Sequence, residues 1–276
     1  MPELPEVEAA RRLAQRVATG RRIAGVWCAA DSIVLDRVGP ARVRRALLGR
    51  RVLAARRHGK HLWLELDRRP WPTLHFGMSG GLYTPGRGVW LVAHGRNDPR
   101  AAWPPRFTKL HLTFDDAGEL AFADPRRLGR LRLRDDPRHD PPIGRLGFDA
   151  YRELPPLSRF FPTLHARAAP IKAVLLDQTF AAGVGNWVAD EVLYQARIDP
   201  RRPAHGLTAA EAGRLRRRLR SVLATAVRAG ADSDRYPRTW LFHRRWDRNV
   251  TTARGEANRH QTIGGRTAAW VPAVQR

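Results

Sequence analysis

The residues with the most unusual chemistry stand at the start of the chain, MPELPEVEAARRLAQ. Removal of Met1, the usual fate of an initiator before a residue as small as proline, would leave Pro2 with a free secondary amine. An α-amine has a reference pKa of about 7.7–8.0 against about 10.4 for lysine, so more of it is unprotonated near neutrality. Such an amine can attack a sugar C1′ and give an iminium, an electron sink for eliminating phosphate. Glu3 beside it is a candidate general acid or base. Taken alone, the same stretch also reads as an ordinary helix start, because Pro and Glu both suit a first turn.

Only three of the fifty basic side chains are lysine: Lys60, Lys109 and Lys172. Where arginine is used almost everywhere else, a lysine marks a place that needs a compact or deprotonatable amine. Lys109 taken singly reads as drift. The formal net charge is +24, spread along the chain rather than gathered in a tail. A folded surface of that sign meets a polyanion, and nucleic acid is the expected partner. GC-rich coding accounts for arginine over lysine, but not for the excess of positive charge.

Cys28 is the only cysteine, which excludes an intramolecular disulfide and a cysteine-based zinc site. Its apolar setting makes it core filler. No metal and no cofactor is expected. No run approaches the roughly 18 apolar residues of a membrane span, and no basic-then-apolar leader opens the sequence. The expectation is a monomer away from membranes, cytoplasmic and nucleoid-associated in a bacterium or nuclear in a eukaryote.

The elements that must hold these groups follow from periodicity. Residues 5–19 read as a helix with Val7, Ala10, Ala14 and Val17 on its apolar stripe and Gly20 ending it. Up to about residue 135 the pattern changes to short alternating runs, including HLWLELD, KLHLTFDD and ELAFAD, with Asp-Asp-Ala-Gly marking a hairpin. This half is expected to be two packed sheets. Residues 136–156, rich in proline and polar residues, read as a linker. Helices follow from Pro170, over 186–196, and from the capping box Thr208-Ala-Ala-Glu211 to Gly230. Near the end a hairpin turns on Gly264-Gly265. The fold class is α+β: an N-terminal β-sandwich with its helix over 1–135, a helical domain over 157–235, and a hairpin finger over 236–276.

Six blocks in order, PELPEVE, GKHLWLEL, HFGMSG, DPRRLG, DQTFAAGVGN and GGRTAAWVPAVQ, resemble the formamidopyrimidine-DNA glycosylase (Fpg/Nei) family along nearly the whole chain. Leu4 in PELPEVE points to the Fpg branch, since the Nei branch usually has glycine there. The resemblance implies a bifunctional DNA glycosylase and abasic-site lyase of base excision repair, acting on damaged double-stranded DNA. Pro2 matches the Schiff-base nucleophile of β,δ-elimination, and Glu3 the acid that assists opening of the deoxyribose ring. Glu6 belongs to the supporting network, and Lys60 matches the lysine that contacts flanking phosphates and assists strand cleavage. Met78 matches the wedge pushed into the gap left by the extruded nucleotide, and unbranched methionine suits that use. Arg126 matches the arginine that meets the orphaned base, while Leu128 stands where the family generally has Phe, which weakens stacking there. Asn186, after Gly183-Val184-Gly185, matches the phosphate-binding asparagine of the helix–two-turns–helix element, in a turn whose N–H groups are expected to face outward as a phosphate cradle. Lys172 and Glu191 match a lysine and a helix glutamate near the lesion, and Arg266 the finger arginine that grips phosphates.

The finger departs from most bacterial relatives, which hold it with four cysteines on zinc. Val271 and Val274 stand in place of the last pair and the first pair is missing, so a zincless finger held by packing through Trp270 and Val271 is expected, as in plant and fungal members. The segment 230–242 is short, whereas relatives efficient on 8-oxoguanine use a longer loop there to cap the base. The implied substrates are formamidopyrimidines and hydantoins, with 8-oxoguanine weak. Alternatives are a Nei-like preference for oxidised pyrimidines, a non-catalytic DNA-binding protein on the same fold, and an RNA-binding protein.

Overall fold

A computed structural model of the protein describes residues 2–85, 87–88 (backbone), 102–247 and 251–276. The chain divides into two compact units, Met1–Arg145 and Leu146–Arg276. The division falls inside the stretch 136–156 expected to be a linker. Its second half is no spacer, because Phe148–Asp149 pairs with Ala181–Ala182.

In the first unit, helix α1 (Leu4–Ala18) begins with Glu3 in the N-cap position and Pro5 in its first turn. Val7, Ala10, Leu13 and Ala14 recur at helical spacing and are all buried. Gly20, at φ +84°, takes the left-handed conformation after the helix. The strands are β1 (Ile23–Cys28), β2 (Val52–His58), β3 (His61–Leu66), β4 (Trp71–His75), β5 (Gly81–Thr84), β6 (Arg87–Gly88), β7 (Thr108–Phe114), β8 (Glu119–Ala123) and β9 (Arg130–Arg134), with helix α2 (Pro40–Leu47) after β1. They form two antiparallel sheets, ordered β1-β7-β8-β5-β6 and β2-β3-β4-β9. β7 shows why they pack. Thr108, Leu110, Leu112 and Phe114 point inward in strict alternation, and each buried large apolar side chain contributes about 1.5–3 kcal/mol. Leu62, Leu64, Leu74, Leu82 and Phe122 complete the layer between the sheets.

The second unit is helical with a terminal hairpin. β10 (Phe148–Asp149) runs parallel to β11 (Ala181–Ala182), and the helices are α3 (Leu157–His165), α4 (Ile171–Leu176), α5 (Asn186–Ala196) and α6 (Ala209–Arg228). The capping box before α6 forms as expected: Glu211 N–H donates to Thr208 Oγ1 at 3.3 Å, and Thr208 N–H to Glu211 Oε2 at 2.8 Å. α5 is buried on nearly every face and ends at Arg197, φ +58°. β12 (Arg259–Ile263) and β13 (Arg266–Trp270) form the hairpin, turning on Gly264 and Gly265 at φ +59° and +71°. Trp270 and Val271 are buried as expected, and Val271 and Val274 pack with Tyr194 of α5 and Leu241. No helix among the described residues is long and apolar enough to cross a membrane.

Candidate active site and nucleic-acid interface

Pro2 and Glu3 are buried where α1 begins. Glu6, one turn on, accepts from Glu3 N–H at 2.9 Å through Oε2. Glu6 is 1% exposed; burial, reinforced by the neighbouring Glu3 carboxylate, pushes it up to about 7. Desolvated and facing that negative charge, Glu6 keeps its proton into the neutral range. A proton held one helical turn from residue 2 is placed where general acid work could use it.

Lys60 occupies the two-residue Gly59-Lys60 turn between β2 and β3, with Gly59 at φ +55°. Arg57 ties that turn to α1: its Nε donates to Glu8 Oε2 at 3.0 Å and its Nη1 to Gly59 O at 2.8 Å. Beside it, the rings of His61 and His75 lie 4.7 Å apart. Burial first, then the Lys60 charge, lowers His75 to about 4, so its imidazole is neutral and accepts from Gly77 N–H at 3.1 Å through Nδ1.

The loops bearing Met78 and Arg126 are held together by one carboxylate. Asp124, fully buried, accepts from Ser79 Oγ at 2.7 Å, Arg126 N–H at 3.2 Å and Gly129 N–H at 2.6 Å. Gly77 is at φ +61°, and a Cβ there would stand 2.4 Å from the Leu128 carbonyl carbon, so only glycine lets the loops approach. Met78 and Leu128 remain 37% and 41% exposed and Arg126 is exposed. Ordinary core packing is therefore excluded for both apolar residues. Two large hydrophobic side chains on a basic surface suit insertion among bases.

In the second unit, Asn186 is the first residue of α5 and its Nδ2 donates to Thr267 O at 2.9 Å. The turn before it differs in one respect from the expected cradle. Gly183 N–H does not face outward, because it donates to Gln178 Oε1 at 3.0 Å. Lys172 is fully buried, with Nζ 2.5 Å from Asp190 Oδ1 and 3.2 Å from Thr267 O. Glu191 accepts from Gln195 Nε2 at 2.7 Å and Phe242 N–H at 2.9 Å, and burial pushes it up to about 7. Arg266 is exposed at the head of β13. Behind it, a Cβ on Gly264 would stand 2.9 Å from Ala173 Cβ, so the hairpin tip rests on α4.

Sequence reasoning missed Glu8, Arg57, Asp124, Asp190 and Arg245. One signal was available: Asp190 and Glu191 are adjacent carboxylates on the otherwise apolar stretch NWVADEVLY, which has to bury both. Among the described residues no group of His, Cys, Asp and Glu could hold a metal ion.

The formamidopyrimidine-DNA glycosylase N-terminal domain profile matches residues 1–131, and the H2TH domain profile of the same family matches residues 146–237. A formamidopyrimidine-DNA glycosylase of Arabidopsis thaliana is 39% identical over 277 residues, covering 100% of this chain and 71% of the relative. One from Thermus thermophilus is 40% identical over 240 residues, 84% of this chain and 78% of the relative. The crystal structure of the Thermus thermophilus MutM (Fpg) protein is similar at 34% identity with a TM-score of 0.78, covering 99% of this chain and 98% of that one. Lactococcus lactis Fpg bound non-covalently to DNA containing an AP site shares the fold, with a TM-score of 0.79 at 24% identity over 99% of both chains. With both domain profiles matched and a relative of this identity aligned along the full length of the chain, the protein belongs to the formamidopyrimidine-DNA glycosylase family, and with it to the DNA glycosylases.

Proposed function

We propose that the protein excises oxidised purines from double-stranded DNA and then cleaves the abasic strand through a Schiff base on Pro2. The observation that carries this reading is Glu6, which keeps its proton into the neutral range while its carboxyl oxygen holds the Glu3 N–H at the start of α1, beside the candidate nucleophile. The Pro2 nitrogen attacks C1′, the glycosidic bond breaks and the base leaves with a proton. Glu3 protonates the ring oxygen, and the sugar opens to an iminium. Loss of a C2′ proton expels the 3′ phosphate, a second elimination expels the 5′ phosphate, and water releases the enzyme. Lys60 neutralises charge on the departing phosphates. Met78 fills the space of the extruded nucleotide, and filling it offsets part of an unstacking cost of a few kcal/mol.

Formamidopyrimidines and hydantoins are the favoured substrates and 8-oxoguanine a weak one. The segment 230–242 supports this, because it is not a free loop. Tyr236, Trp240 and Phe242 all pack against Trp187 of α5, with ring centroids 5.6, 6.5 and 5.1 Å away. A segment so anchored has little length to fold over a flipped base.

Borohydride reduction on abasic duplex tests the chemistry. The expected result is a covalent adduct at Pro2, with Glu3→Gln losing base excision while duplex binding persists. Tight duplex binding with no adduct would leave a non-catalytic DNA-binding protein. In a single-turnover lesion panel, formamidopyrimidine is expected to outpace 8-oxoguanine by at least tenfold, a difference of about 1.4 kcal/mol in barrier. Thymine glycol as the fastest substrate would favour the pyrimidine reading instead.

A further inference from the structure

A two-stranded sheet has an open edge on each side, and among the described residues no third strand closes β13 of the β12–β13 hairpin. Helix α5 meets β13 instead. Asn186 and Asp190 are four residues apart on α5, a rise of about 6 Å. The groups they engage, Thr267 O and Ala269 N–H, belong to residues two apart on the strand, whose Cα atoms are about 6.8 Å apart. The helix face therefore reads along the strand in register. Asn186 donates at 2.9 Å and Asp190 Oδ2 accepts at 3.2 Å.

Asp190 does more than cap one amide. Its side chain is 1% exposed, and it also accepts Lys172 Nζ of α4 at 2.5 Å and Arg245 Nη2 at 2.6 Å. The Lys172 ammonium reaches Thr267 O as well, at 3.2 Å. One buried carboxylate thus joins α4, α5, the segment entering the hairpin, and β13. The residues around Arg245 are fastened in turn: Asn258 Nδ2 donates to Arg244 O at 2.8 Å, and His260 Nε2 lies 2.9 Å from Arg245 O. A chain whose single cysteine is Cys28 has no thiolate for this task.

We propose that Asp190 is the staple of the finger, an ionic clasp that fixes β13 on α5 and thereby sets where Arg266, one residue before Thr267, presents its guanidinium. Asp190 is a positioning residue and touches no nucleotide itself. The proposal rests on the reading that Arg266 engages a DNA phosphate. The competing account is that apolar burial of Ala268, Trp270 and Val271 suffices and the ion pairs merely break even.

Asp190→Asn keeps the shape and removes the negative charge that two buried cations, Lys172 and Arg245, share. Hydrogen exchange over residues 259–270 should accelerate about a hundredfold or more, while α6 (209–228) is unchanged. The slope of log Kd against log salt on abasic duplex should fall by about one, as in Arg266→Ala. The double variant Asp190→Asn/Arg266→Ala should bind no worse than Arg266→Ala. Unchanged hairpin exchange, or a rise spread evenly over the whole unit, overturns the staple. If Asp190→Asn does not fold, Arg245→Met is read by the same two outcomes. Fast hairpin exchange together with an unaltered salt slope in Arg266→Ala would sink the phosphate reading and leave the staple standing.

Discussion

Arg57 donates from Nε to Glu8 Oε2 at 3.0 Å, with the two side chains 0% and 2% exposed. Since Arg57 Nη1 also donates to Gly59 O, one guanidinium joins the helix that presents Pro2 to the turn that presents Lys60. Glu8 keeps Arg11 Nη2 at 3.0 Å and Arg12 Nε at 3.2 Å when Arg57 is removed, so the loss is that of a charge-assisted hydrogen bond, about 1.5–3 kcal/mol. Arg57→Met is expected to lose about that much stability in urea titration, and to slow strand cleavage more than it weakens duplex binding. A variant as stable as the parent would mean the pair breaks even against packing.

Asp124 plays the corresponding part for the loops that bear Met78 and Arg126. Asp124→Ala strips the acceptor from Ser79 Oγ and from the Arg126 and Gly129 amides, and of these the buried Gly129 N–H left unpaired costs about 1–3 kcal/mol. Ser79→Ala removes one hydroxyl bond and is expected to cost about 1 kcal/mol. Fluorescence of 2-aminopurine next to an abasic site reports the gap being filled. Its amplitude should drop in Asp124→Ala as it does in Met78→Ala. Full amplitude in Asp124→Ala would show that Met78 needs no such support.

The elements that were legible in the sequence are those whose local pattern is complete. α1, the β7–β8 hairpin, α5, α6 and the Gly264-Gly265 hairpin lie where capping residues, alternation and paired glycines put them. α2 was missed because PARVRRAL buries only Val43 and Leu47. β2 was missed because a bulge between Val52 and Ala54 interrupts its alternation and because it buries Arg57, a residue that reads as surface. α3 hides behind Pro162 in its interior. The motif blocks gave the site residues their places, but the residues that hold them did not stand out. Asp190 bonds partners 18, 55 and 79 positions away, and no local spacing encodes that.

Leu128 is 41% exposed on a loop whose backbone is fixed by Gly77 and Asp124, so its side chain can change without moving the loop. Stacking of an aromatic ring on a base is worth about 1–3 kcal/mol. Leu128→Phe is expected to tighten binding to abasic duplex by about tenfold, measured by titration at fixed salt. The gain should shrink when the opposite nucleotide is also abasic, because no base is then left to stack on. Equal gains on both duplexes would put the effect elsewhere than in stacking.

Glu191 supplies a pH dependence with a definite sign. Burial raises its carboxyl from the ordinary 4.5 to about 7, so between those values the folded protein holds a proton that the unfolded chain has released. Folding stability therefore falls as pH rises across that window and levels off above about 7, where both states are ionised. The difference converts to about 3 kcal/mol. Glu191→Gln has no such proton to lose, though its amide oxygen can still accept from Phe242 N–H. Its stability relative to the parent should accordingly improve by about that amount from pH 4.5 to 7, read from urea midpoints at matched salt. Parallel curves for the two proteins would place the proton on another group.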